Sequence, residues 1–176
     1  MIHLHDKSFE PFISSEEIDF AIQYMAKQMA DDFFDETPIF IGVLNGSFMV
    51  MGDLMKAYRG MCEVSFIKVA SYEGTQTTNE IKHLIGINEN LEGRTVVIVE
   101  DIIDTGNTIV ELKQLLKAQK VKHLKIATLF FKPEAYQHDV KIDYVGIRIP
   151  NKFIVGYGLD YDGLGRNLPD VYQLAQ

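Results

Sequence analysis

Val96-Val97-Ile98-Val99-Glu100-Asp101-Ile102-Ile103-Asp104-Thr105-Gly106-Asn107-Thr108 is the stretch on which the fold turns. Thr95 to Val99 is a continuous, β-branched apolar run and reads as a buried strand. The strand ends in two acids, continues through two apolar residues and gives Asp-Thr-Gly-Asn-Thr at a helix start. The helix runs from roughly Thr108 to Gln119, with Ile109, Leu112, Leu115 and Leu116 on one face. In open α/β sheets, ligands bind outside the carboxyl ends of the strands, so this segment brings acids and hydroxyls to the expected place.

The same alternation extends in both directions. Towards the N-terminus, Ser14 with Glu17 three positions on is a capping-box signature, and Ile18, Ala21, Ile22, Met25 and Met29 recur at helical spacing over residues 14–34. Ile39-Phe40-Ile41-Gly42-Val43-Leu44, bounded by Pro38 and Asn45-Gly46, reads as a buried strand, and 47–59 as a second helix. Val64 to Ala70 and Ile81 to Ile87 read as strands around a polar stretch. Towards the C-terminus, Leu124 to Phe131 and Tyr144 to Ile149 are further strands. Strands alternating with helices imply βαβ units, hence an α/β fold whose mostly parallel sheet is covered on both faces. The Gly-, Tyr- and Asp-rich stretch after Pro150 reads as short strands and loops over one end of that sheet.

Composition narrows the function classes. The chain's 176 residues fit one domain with a substantial core, and neither a repeat nor a linker-like stretch divides them. A net charge of −8 argues against broad affinity for nucleic acid, though not against a phosphorylated small molecule held by a few local donors. No apolar run is long enough to cross a bilayer. The N-terminal MIHLHDKSFEPF lacks the layout of a signal peptide, and the single Cys62 suits a reducing compartment, so the expectation is a cytoplasmic protein without membrane contact.

The chemistry of the central stretch divides in two. Gly106 lets backbone approach a ligand closely, N–H groups at a helix start point at an anion, and Thr105 and Thr108 add hydroxyl donors. Together they make a cradle for one phosphate, and without a Gly-Lys-Ser/Thr ending it is not a Walker A loop. Glu100 and Asp101 are adjacent and on a regular strand would face opposite ways; at a strand end both can reach one ligand, through ribose hydroxyls or a metal ion. Taken singly, Asp104 reads equally as a helix cap and as a group that accepts a proton or a hydrogen bond.

Val-Glu-Asp-Ile-Ile-Asp-Thr-Gly-Asn-Thr resembles the phosphoribosyl-pyrophosphate-binding signature of the type I phosphoribosyltransferases, in particular the hypoxanthine-guanine branch. The match extends in order from Leu44 to Arg166. The resemblance implies a single domain over residues 1–176, its core at about 37–150 and a small hood, from the N-terminal residues and about 150–176, over the strand C-terminal ends. It implies that Glu100, Asp101, Asp104, Thr105, Gly106, Asn107 and Thr108 hold the ribose and its 5-phosphate. By the same resemblance, Leu44-Asn45-Gly46 stands where the family has its pyrophosphate-binding loop, in which members often have a cis peptide at the position of Leu44-Asn45. Asn45 replaces the Lys or Arg that relatives commonly extend across a subunit interface. Ser71-Tyr72 opens a stretch that resembles the family's mobile catalytic loop.

On the base side, the resemblance implies that Lys132 donates to a purine 6-oxo group and that Phe153, within Lys152-Phe153-Ile154, stacks on the ring. The Ile154 backbone and Asp160 would read the base edge, and Arg166 would face pyrophosphate. Mg²⁺ would be held by Glu100, Asp101 and Asp160, directly or through water. The implied reaction moves 5-phosphoribosyl from phosphoribosyl pyrophosphate to N9 of a 6-oxopurine, hypoxanthine first and guanine second, in purine salvage, with Asp104 near N7 as general base or charge holder. A homo-oligomer, dimer or tetramer, is implied by the same resemblance. The alternatives are a xanthine-preferring enzyme and a nucleotide-sensing regulator of the same fold; the regulator should carry an added basic surface, whereas Lys and Arg are scattered here.

Overall fold

The computed structural model describes residues 1–69 and 83–175. In chain order the elements are β1 (Ile2–Leu4), β2 (Lys7–Ile13), α1 (Ser15–Asp32), β3 (Ile39–Leu44), α2 (Phe48–Ala57) and β4 (Glu63–Val69). There follow β5 (His83–Ile85), β6 (Thr95–Ile103), α3 (Asn107–Ala118), β7 (His123–Phe131), β8 (Tyr144–Arg148), β9 (Ile154–Val155) and β10 (Val171–Leu174).

Six of the strands form a sheet in the order β5-β4-β3-β6-β7-β8, parallel throughout except for β5, which runs antiparallel along β4. Its central strands are buried on both faces, which is why they read as unbroken apolar runs. One face packs on α1 and α2, where Ile18, Ile22, Met25 and Met29 meet Phe40, Val97, Val99 and Leu129. The other packs on α3 through Ile109, Leu112 and Leu116 against Ile39, Ile41, Val96 and Ile98. Each of these fully buried side chains contributes about 1.5–3 kcal/mol relative to exposure. Helix α1 begins with the expected capping box: Ser14 Oγ accepts from the Glu17 N–H at 3.3 Å, and the Ser14 N–H donates to Glu17 Oε2 at 2.9 Å.

Two expectations need correction. The strand expected to stop at Val99 continues to Ile103, because its ladder with β7 runs on through Glu100↔Thr128, Ile102↔Phe130 and Ile103↔Phe131. Glu100 and Asp101 therefore stand inside a strand rather than at a turn. The strand expected over 81–87 is confined to β5 among the described residues.

A second, antiparallel sheet, β1-β2-β10-β9, joins the two ends of the chain through pairs such as Val171↔Ile13 and Gln173↔Ile154. It meets the larger sheet near the carboxyl ends of the strands. Gly158 lies against the Gly46 carbonyl, the Tyr157 hydroxyl donates to the Asp53 carboxylate on α2, and the Ser15 N–H donates to Asp170 at 2.7 Å.

Candidate active site

The turn from β6 into α3 supplies the first half of the site. Gly106 takes the N-cap position with φ +87°, a left-handed conformation that glycine adopts without strain, and no side chain caps the helix. Asp104 is thus not the helix cap. The first N–H groups of α3 remain free for a ligand, and a cavity of about 120 Å³ lies against them, lined by Glu100, Asp104, Thr105, Gly106, Asn107 and Thr108 among others. That combination of uncapped donors and a pocket of phosphate size suits an anion.

Behind the cavity, Glu100 and Asp101 are 7% and 8% exposed. Asp101 Oδ1 accepts from the Ile102 N–H at 2.9 Å. Burial pushes the Asp101 carboxyl up to about 6, with the Ile102 N–H and the Arg166 charge pulling the other way. Burial, then the charge of Asp101, pushes Glu100 well above the usual carboxylate range. Two acids so placed favour a positive or hydrogen-bond-donating neighbour.

Leu44 ends β3, next to β6 in the sheet, Asn45-Gly46 follow, and the Leu44-Asn45 peptide is cis. Any side chain at position 46 would collide with the Asp101 carboxylate, so glycine lets this loop lie directly on the acid pair. Asn45 itself is exposed.

Lys132 directly follows the adjacent strand β7 and is buried. Its Nζ lies 2.8 Å from Asp104 Oδ2, and its backbone N–H donates to the Ile103 carbonyl at 3.0 Å. A cation and an acid at the ends of neighbouring parallel strands thus face each other, the acid half open to solvent.

The remaining residues belong to the hood. Phe153 is 46% exposed and braced from behind by Phe9 and Tyr161, the latter edge-on at 5.9 Å. Ile154 is buried in β9. Arg166 bonds Asp160 Oδ1 at 2.6 Å and the Gly158 carbonyl at 2.6 Å, while Asp160 Oδ2 accepts from the Gly163 N–H. Lys152 is turned elsewhere: its ammonium bonds Gln173 Oε1 at 2.7 Å and lies over the Phe12 ring. That places it in the hood's own packing rather than with Phe153. Ser71 and Tyr72 lie outside the described residues.

Sequence reading missed Tyr161 and the segment after Lys132. Tyr136 lies on Gly106, the Gln137 N–H donates to the Thr105 carbonyl at 3.1 Å, and His138 Nε2 is 2.7 Å from Asn107 Oδ1. Nothing in their spacing signals that they return to the phosphate cradle.

A profile of the phosphoribosyl transferase domain matches residues 14–162. The chain is 45% identical over 153 residues to the hypoxanthine-guanine phosphoribosyltransferase of Streptococcus pyogenes, covering 86% of this chain and 85% of that one. Among solved structures, a hypoxanthine-guanine phosphoribosyltransferase from Bacillus anthracis, with HEPES in its active site, superposes with a TM-score of 0.89 at 38% identity, over 97% of this chain and 99% of that one. A hypoxanthine phosphoribosyltransferase from Staphylococcus aureus gives 0.89 at 36% identity, over 94% and 91%. Among the described residues, no helix is long and apolar enough to cross a membrane.

Proposed function

The chain belongs to the phosphoribosyltransferase family, in its hypoxanthine-guanine branch, and from that premise we infer that it transfers 5-phosphoribosyl from phosphoribosyl pyrophosphate to N9 of a 6-oxopurine. Hypoxanthine is the first substrate and guanine the second, giving IMP or GMP and pyrophosphate in purine salvage. The observation that carries the reading is the Lys132–Asp104 pair beside the uncapped start of α3. It sets a base-recognising couple next to a phosphate cradle.

The roles follow from chemistry. The 105–108 loop anchors the 5-phosphate, a remote handle whose binding energy orients the reacting carbon. Glu100 and Asp101 hold the ribose hydroxyls or the waters around a cation. The 44–46 loop and Arg166 take the pyrophosphate. Lys132 donates to the 6-oxo group, a donor that adenine's amino group cannot satisfy, and Phe153 stacks on the ring. Asp104, released from Lys132 as the base arrives, faces N7 and takes a proton or balances the charge that develops there. The stretch opening at Ser71-Tyr72 excludes water.

Mg²⁺ fits this donor set. Glu100 and Asp101 are adjacent buried oxygen ligands short of positive charge, with Asp160 as a third acid tied to them through Arg166. Among the described residues, no three acid, histidine or cysteine side chains form a ready metal cage, and Mg²⁺ commonly completes its shell with water and substrate phosphate. When bound, it neutralises the pyrophosphate as a leaving group. We assign the work to a cytoplasmic homo-oligomer, dimer or tetramer, each subunit one domain over residues 1–176.

Incubating the purified protein with phosphoribosyl pyrophosphate, Mg²⁺ and each purine base in turn tests the reading. Formation of IMP, and of GMP less efficiently, is expected. Nucleotide from xanthine or adenine alone would overturn the base assignment, and none from any base would overturn the enzyme.

A further inference from the structure

The segment after Lys132 makes three independent contacts with the phosphate cradle. Tyr136 covers Gly106 so closely that any side chain at 106 would strike its ring. The Gln137 N–H donates to the Thr105 carbonyl at 3.1 Å. His138 Nε2 meets Asn107 Oδ1 at 2.7 Å, and because that oxygen only accepts, the imidazole donates there. The segment is itself held, since the Tyr136 hydroxyl donates to the Val140 carbonyl at 2.7 Å and the Ala135 N–H to the Lys132 carbonyl at 3.1 Å. Helix α3 lacks a side-chain cap, so apart from the Val110 N–H bond to the Gly106 carbonyl at 3.2 Å the helix start has no capping group of its own to hold Thr105, Gly106 and Asn107.

We propose that Tyr136-Gln137-His138 is a brace that sets the phosphate cradle from outside, with His138 the positioning residue that fixes Asn107 at the helix start. The proposal rests on reading the 105–108 loop as the 5-phosphate site. His138 touches neither substrate. Its bond to Asn107 presets the loop's N–H groups, so its loss weakens the phosphorylated donor and not the base. A second consequence follows from the chain's course: the brace continues from Lys132, so the residue that reads the base and the loop that holds the phosphate share one short support.

The test compares wild type with His138→Ala and His138→Gln, whose amide N–H can replace the imidazole donor. In steady-state kinetics, His138→Ala is expected to raise KM for phosphoribosyl pyrophosphate about fivefold, the worth of one hydrogen bond, with KM for hypoxanthine and kcat nearly unchanged. His138→Gln is expected to restore most of it, and Asn107→Ala to add little to His138→Ala. Unchanged donor KM, an equal rise for both substrates, or no difference between Ala and Gln overturns the brace. If wild type forms no nucleotide, the enzyme reading fails, and the brace is judged by calorimetry with ribose 5-phosphate. The same weakening and glutamine rescue are then expected, and equal affinities, or no binding by any of the three proteins, refute it.

Discussion

The site contains two kinds of acid. Glu100 and Asp101 sit inside β6, both buried, and for Asp101 the Ile102 N–H and the Arg166 charge only partly offset the burial. Asp104 and Asp160 sit on loops, each facing a cation directly, Lys132 at 2.8 Å and Arg166 at 2.6 Å. The contrast separates acids that already have a cation from acids that lack one. The loop acids are neutralised by their own partners, and under the proposed reaction they would exchange them as ligands arrive. The strand acids carry an unmet demand for positive charge that only a cation or donor from outside relieves, because burial penalises an unpaired carboxylate.

Metal removal breaks the contrast most severely. Chelation should abolish nucleotide formation, and Mg²⁺ should restore it; activity surviving exhaustive chelation would remove the strand acids' proposed partner. Next comes Asp104→Asn, expected to lower kcat about 10²–10³-fold in the same assay, as for loss of a positioned general base. A drop of only a few-fold would leave the Asp104–Lys132 pair as a structural bridge.

Stability against pH sharpens the other side. Asp101 has its folded value raised to about 6 from an ordinary 3.8. A raised folded value means that the native state binds the proton more tightly, so its contribution is fully present below about pH 4 and is lost as pH rises through 6. In metal-free protein, Asp101→Asn, which keeps the acceptor for Ile102, should match wild type at pH 4. It should gain on wild type by about 3 kcal/mol by pH 7, measured by urea unfolding. A difference that stays constant across that range would mean that Asp101 ionises freely.

The smallest expected effect couples the two classes. Arg166 pairs with Asp160 and also lowers Asp101. Arg166→Gln should move the Asp101 carboxyl further upward in a carbon-detected NMR titration, and an unmoved Asp101 would separate the hood from the strand acids.

Local signals in the chain were enough for much of this. Ser14 and Glu17 start α1 because their reciprocal hydrogen bonds span three residues. β3 and the first part of β6 are legible as apolar runs because a strand covered on both faces has no polar alternation. The uncapped turn into α3, the candidate phosphate cradle, is legible because its glycine, its hydroxyls and its helix start are contiguous. Pairings between distant residues were not legible. β6 extends past its acids alongside β7, whose ladder with it runs on through Ile103↔Phe131. Strands β1 and β2 escaped a strand reading; β2 is held on its other side by β10, from the opposite end of the chain, and β1 is a three-residue edge strand paired only with β2. Likewise Lys132 finds Asp104, and His138 finds Asn107, only once β6 and β7 are side by side.

By itself, then, the sequence determined the parallel α/β core, the cradle and the residue types that belong to it, since helix caps, strand periodicity and turn glycines act within a few residues. The tertiary structure alone decided which acids are buried without a cation, which are paired, and that Lys152 turns to Gln173. Desolvation and ion pairing depend on what lies across space, and neighbours in space are set by sheet order rather than by position along the chain.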